Sequence, residues 1–192
     1  MRTRFIYSKR NSACFTPHIA LAQMFSRTAT RAGLKLIMTQ GFSPRAKISF
    51  APELPAGVVA LNEPVDMFFE DCNKENILPA MNAAIPEGFF ISRVTFPAED
   101  SPALGKICTH AEYLIRCLSG FNQLEDAAKN FFQKDLLSSS FLDNWLKILI
   151  KSPAQNPIGG FVRNLIQENF IAGWHEINIV RTKIGDQNLN LS

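Results

Sequence analysis

This chain of 192 residues is short of the residue types that do redox, metal and covalent chemistry. It has only four cysteines and three histidines. Cys14, Cys72, Cys108 and Cys117 make no C-x-x-C pair, and their spacings of 58, 36 and 9 residues fit no zinc pattern. Neither Gly41 nor Gly57 belongs to a phosphate-loop motif. No stretch approaches the roughly 18 apolar residues of a transmembrane helix. The first ten residues carry charge with no apolar segment behind them, which argues against a secretory signal. Scattered thiols without such a signal lead to the expectation of a reduced, cytoplasmic protein. Metal, cofactor and membrane are therefore not expected.

Acidic residues are nearly missing from the first third. Residues 1–60 hold nine Lys or Arg against the single Glu53, a net charge of +8. The remaining 132 residues carry a net charge of −5. A basic third on an acidic remainder can steer a polyanion to one face, although cations also simply solvate exposed strands and helices.

What is present reads as an ordinary globular chain: 46% of its residues are hydrophobic and 19% charged. Residues 2–7 alternate as a strand, with Thr3, Phe5 and Tyr7 on one face. Thr16-Pro17 reads as a helix start, with a hydroxyl N-cap and proline in the first turn. His18, Leu21, Ala22, Phe25, Ala29 and Ala32 then share a helical face, opposite Arg27 and Arg31. Gly33 supplies a stop. Short strands are expected at 34–38, 48–51 and 65–70, a helix at 74–84 capped by Asn73, and a strand at 89–96. Strand–helix–strands–helix–strand is the split β-α-β order of a ferredoxin-like unit.

Residues 105–192 read as a shorter version of the same plan. Strands fall at 111–118, 145–150 and 174–183, and helices at 122–134 (inner stripe Phe121, Leu124, Ala128, Phe131) and 157–169. The tail from 185 onward is expected to fray. The predicted fold is thus α+β, with two ferredoxin-like units and mostly antiparallel sheets. The basic unit spans 1–96, a Pro-rich linker 97–104 and the second unit 105–192.

The most informative stretch is residues 40–57, QGFSPRAKISFAPELPAG. Gln40, Gly41, Phe42, Arg45 and Lys47 set glycine, aromatic and cation side by side in a turn-prone loop. Glycine lets backbone approach a ligand, an exposed ring can stack on a base, and Arg or Lys can hold a phosphate. An inward-packed Phe42 is the alternative.

Five sequence words in order, His18-Ile-Ala-Leu, Arg31-Ala-Gly-Leu, Gln40-Gly-Phe-Ser-Pro, Ile48-Ser-Phe-Ala and Leu54-Pro-Ala-Gly, resemble the bacterial radical SAM-linked protein family. That is a domain of unknown function found beside or fused to radical SAM proteins. The resemblance is dense over 1–96 and thin beyond 105. It implies a radical SAM protein as partner. The family pattern has an aspartate where this chain has Ala20, and a His-Pro pair where it has Arg45-Ala46. A radical SAM enzyme holds its cluster on three close cysteines, and this chain has no such triplet. It would serve such an enzyme rather than be one.

Three functions follow. The first is a noncatalytic accessory module that binds RNA through Gln40, Gly41, Phe42, Arg45 and Lys47, extended by Arg27 and Arg31. The second is a metal-independent endoribonuclease in which His18 moves a proton while Arg45 and Lys47 stabilise the phosphorane. The third is a protein–protein scaffold only, with the acidic remainder of the chain docking a basic partner. A core or capping role is the alternative for His18.

Overall fold

The first strand, β1 (Arg2–Lys9), is buried along its whole length on both faces. A computed structural model describes residues 1–98, 100–118 and 123–191 of the chain, and β1 lies well inside its sheet. Phe5 and Tyr7 point to the helix layer, where the Tyr7 ring meets Phe25 at 4.9 Å. Arg2 and Arg4 take the opposite face.

Helix α1 (His18–Arg31) follows a 3-10 turn at Asn11–Phe15. Its buried stripe is Leu21, Phe25, Thr28 and Ala29. Ala22, expected inside, is exposed, and Thr28 takes an inner place by turning its hydroxyl back to the Met24 carbonyl at 3.0 Å. Thr16 does not cap the helix: Pro17 holds the N-cap position and no side chain bonds there. After α1 come β2 (Ile48–Phe50) and the long β3 (Val59–Phe68). Residues 34–38 form only the bridges Leu36↔Phe69 and Met38↔Ala46 instead of a strand. Helix α2 (Ile77–Ala84) begins three residues later than expected. Asn73 instead closes a turn, accepting from the Glu75 amide at 2.9 Å. Strand β4 (Phe89–Thr95) completes the run.

The second run is β5 (His110–Cys117), α4 (Leu124–Phe132), β6 (Leu136–Leu142), β7 (Trp145–Lys151), α5 (Ile158–Gln167) and β8 (Ile177–Gly185), entered through the short α3 (Leu104–Ile107). The part of the α4 expectation that falls on Phe121 and Asn122 lies outside the described residues. This run is not compressed. Strand β6, absent from the sequence reading, pairs with β7 through a two-residue turn, and Asp143 takes φ 50° there.

Within each run the strands pair antiparallel in the ferredoxin-like order: β4-β1-β3-β2, then β8-β5-β7-β6. The two runs share a single eight-stranded sheet. The join is parallel and short: Val59 lies opposite Val180, and Ala60 opposite Arg181. The fold is α+β with a mostly antiparallel sheet, as expected. Continuity of the sheet across both runs was not foreseen.

Two apolar clusters lie under the helices. One gathers Phe5, Phe25, Val65, Met67, Ile77 and Met81. The other gathers Tyr113, Ile115, Ile148, Phe161, Leu165 and Ile179, together with Ala51, Leu54, Val58 and Ala60 from the first run. Removing an aromatic such as Phe25 from water contributes about 1.5–3 kcal/mol. The tail is not frayed as far as Leu191, and Ser192 lies outside the described residues. The Asp186 carboxylate accepts from the amides of Asn188 and Asn190 at 2.8 and 2.9 Å, and Leu191 packs on the second cluster.

Candidate functional site

The Gln-Gly-Phe loop forms a finger beyond β2. The Lys47 amide donates to the Ile37 carbonyl at 2.8 Å, and the Thr39 amide to the Arg45 carbonyl at 2.7 Å. The Arg45 amide closes back on the Thr39 hydroxyl at 3.0 Å. Gly41 takes φ +135°, a conformation side chains resist. Phe42 stands at the tip with its ring fully exposed, at 111% of the reference area. Gln40, Arg45 and Lys47 are exposed as well. The Lys47 ammonium lies 4.3 Å over the Phe68 ring, which holds the side chain while leaving it solvated. Arg27 and Arg31 lie one turn apart on the outward face of α1.

Three of the nine early cations are not at the surface. Arg2, Arg4 and Lys9 are buried. Asp66 of β3 receives both arginines: Arg2 Nη2 at 2.6 Å and Arg4 Nε at 2.8 Å. Arg2 also donates to the Ser101 and Pro102 carbonyls at 2.6 and 2.8 Å, and Arg4 to the Leu191 carbonyl at 3.0 Å. These two side chains fasten the connector and the tail to the face of the sheet away from α1 and α2. The basic surface of the first third is therefore Arg10, Arg27, Arg31, Lys35, Arg45 and Lys47.

His18 sits in a different place. It lines a narrow cleft with Tyr7, Lys9, Phe50, Glu63 and Arg181. The Arg181 guanidinium makes a bidentate bond to Glu63 (Nε–Oε1 2.7 Å), a bond to the Pro52 carbonyl at 3.0 Å, and a long contact to the Tyr113 hydroxyl at 3.4 Å. Burial works against its charge, but Glu63 and Tyr113 outweigh that and raise its pKa further. Burial raises the pKa of both Tyr7 and Tyr113. Burial lowers the Lys9 pKa against the pull of Glu63, and its amine reaches the Thr16 carbonyl at 3.3 Å. Burial, helped by Arg181 and Lys9, pushes the His18 imidazole below its usual value, against Glu53 and Glu63. Its ring packs edge-on against Phe50 at 5.3 Å.

The free space in this cleft is about 10 Å³, room for about one water. Arg45 and Lys47 do not line it. Sequence reasoning grouped His18 with Arg45 and Lys47 and missed Glu63, Tyr113 and Arg181 as its surroundings. No local motif marks Glu63 and Tyr113 as partners of Arg181, since the three are far apart in the chain and meet only in the folded sheet. Among the described residues, no three His, Cys, Asp or Glu side chains converge as they would on a metal ion. Among the same residues no helix is long and apolar enough to cross a membrane.

The family model DUF2344, described as an uncharacterized protein conserved in bacteria, matches residues 2–147. The chain belongs to this family. The matched stretch takes in the finger, His18, Glu63, Asp66 and Tyr113 but stops short of Arg181. No curated protein matches the chain. Among solved structures, one of a protein assigned as a glycine cleavage system transcriptional repressor is 12% identical, with a TM-score of 0.27 over 94% of this chain and 97% of that one. A likeness at that score carries no argument.

Proposed function

We propose that this family member is a noncatalytic accessory module that binds RNA through its exposed finger and, as its sequence resemblance implies, works beside a radical SAM protein. The observation that carries the RNA reading is Phe42. Exposing a whole phenyl ring at a loop tip, away from both apolar clusters, wastes burial that folding would otherwise favour. A ring in that position, followed by Arg45 and Lys47, suits a base stacked on its face and phosphates beside it. Arg27 and Arg31 add positive potential from α1.

The cleft around His18 supports a structural part for that residue. A phosphodiester needs far more than one water's space, and the cations meant to stabilise a phosphorane lie outside the cleft. The test is binding of single-stranded RNA by the full chain as salt is varied, with Phe42 and the finger cations altered separately. Co-purification with a co-expressed radical SAM protein tests the second half of the proposal, and absence of any such complex would contradict it.

A further inference from the structure

The second run is close to neutral by composition, with nine Lys or Arg against eight Asp or Glu over residues 105–192, yet its sheet face away from the helices is basic. Strand alternation sorts the residues. On β5, Ala111, Tyr113, Ile115 and Cys117 are buried under the helices, so Glu112, Leu114 and Arg116 face the other way. On β7, Leu146, Ile148 and Ile150 face the helices, leaving Trp145, Lys147, Leu149 and Lys151 outward. On β8, Val180 lies opposite Leu114, and Lys183 opposite Glu112. The strands of this face thus carry four cations, Arg116, Lys147, Lys151 and Lys183, against one carboxylate.

That carboxylate is already satisfied. Glu112 accepts from Lys147 at 2.8 Å and from the Thr182 hydroxyl at 2.6 Å. These hydrogen bonds, with Lys147 and Lys183 nearby, outweigh the effect of burial and hold its pKa below the usual value. The side chains of Arg116 and Lys151 are exposed and have no hydrogen-bond or ion-pair partner among the described residues. Acidic side chains such as Glu125 and Asp126 sit on α4, on the opposite side of the sheet. Lysines on an edge strand commonly block edge-to-edge pairing, but β5, β7 and β8 are interior strands, where that purpose does not apply. Flat apolar side chains between the cations, Leu114, Leu149 and Val180, are half-buried and offer contact area to a planar group.

We infer that this face is a second platform for single-stranded RNA, with backbone phosphates held by Arg116, Lys151 and Lys183 and a base against Trp145. The choice of RNA rests on the proposed function, whereas the location is independent of the finger. Positive charge interleaved with apolar and aromatic side chains on a ferredoxin-like sheet is a recurrent RNA surface.

The experiment uses the full chain and a labelled mixed-sequence single-stranded RNA. Arg116→Ala, Lys151→Ala and Lys183→Ala together should make the plot of log affinity against log salt shallower by about two units, from about 0.7 per lost phosphate contact. The chain has two tryptophans, so a Trp174→Phe protein reports on Trp145 alone, and RNA should quench its emission. RNA bound with unchanged slope and unquenched Trp145 overturns the platform while the finger reading stands. No RNA bound by the parent chain at low salt overturns both. Poly-glutamate bound in place of RNA, and weakened by the same triple variant, assigns the face to an acidic protein and overturns the inference.

Discussion

Arg181 on β8 and Glu63 on β3 form a bidentate ion pair although they stand 118 positions apart in sequence. Both side chains are almost fully buried. They sit where the two strand–helix runs meet, beside the two-residue parallel join of β3 and β8. So few ladder bonds hold the runs weakly, and the ion pair adds the Pro52 carbonyl and the Tyr113 hydroxyl to the seam.

Removing one partner should therefore be costly. Arg181→Met strands the Glu63 carboxylate in the interior, and Glu63→Gln leaves the guanidinium without its counter-charge. Each should lower unfolding free energy by about 3–5 kcal/mol, read from urea melts. A paired replacement of both by apolar residues should recover much of the loss. A single variant as stable as the parent would show that the seam does not depend on this pair.

Gly88 closes the turn into β4 with φ +85°. A Cβ there would lie 2.6 Å from the Ala13 Cβ and 2.8 Å from the Arg10 carbonyl oxygen. The Gly88 carbonyl also accepts from the Arg10 amide at 2.8 Å. Gly88→Ala should destabilise by more than the roughly 1 kcal/mol of an ordinary left-handed glycine site, because backbone must move as well. Thermal melting measures this, and an unchanged midpoint would mean the turn relaxes freely.

The His18 imidazole gives a pH signature. Its unfolded value is near 6.5 and its folded value lies below that, chiefly because of burial. Between the two values the unfolded chain binds more protons, so stability rises with pH. Acidification from neutral pH through that window should therefore cost stability, and His18→Gln should remove part of that cost. Urea midpoints for parent and variant at neutral pH and at about pH 5 give the comparison. An identical pH response in both proteins would show that His18 titrates as it does in the unfolded chain.

Much of the fold was legible because apolar periodicity marks β1, α1, β7 and α5 plainly. Strand β6 was not, because Ser138, Ser139 and Ser140 hide its alternation. Its edge position explains why it needs little burial. The turn pair Asp143-Asn144 beside Trp145 was the available signal. The finger was legible as a loop because its glycine and proline are local signals. The cations were harder to read. Arg2, Arg4 and Lys9 look like surface charges in sequence, and only the pairing of β1 with β3 brings Asp66 and Glu63 to that strand. Arg181 was invisible for the same reason: its partners come from elements that meet only in the folded sheet.

The most direct test of the proposed function is fluorescence anisotropy of the full chain with labelled single-stranded RNA across a salt series. Log affinity should fall roughly linearly with log salt. Arg45→Ala with Lys47→Ala should flatten that slope by about one to two units and weaken all sequences alike. Phe42→Ala should cost about 1–3 kcal/mol of binding with little change in slope, as loss of a stacked base does. No binding at low salt, or binding indifferent to Phe42, Arg45 and Lys47, would contradict an RNA-binding finger.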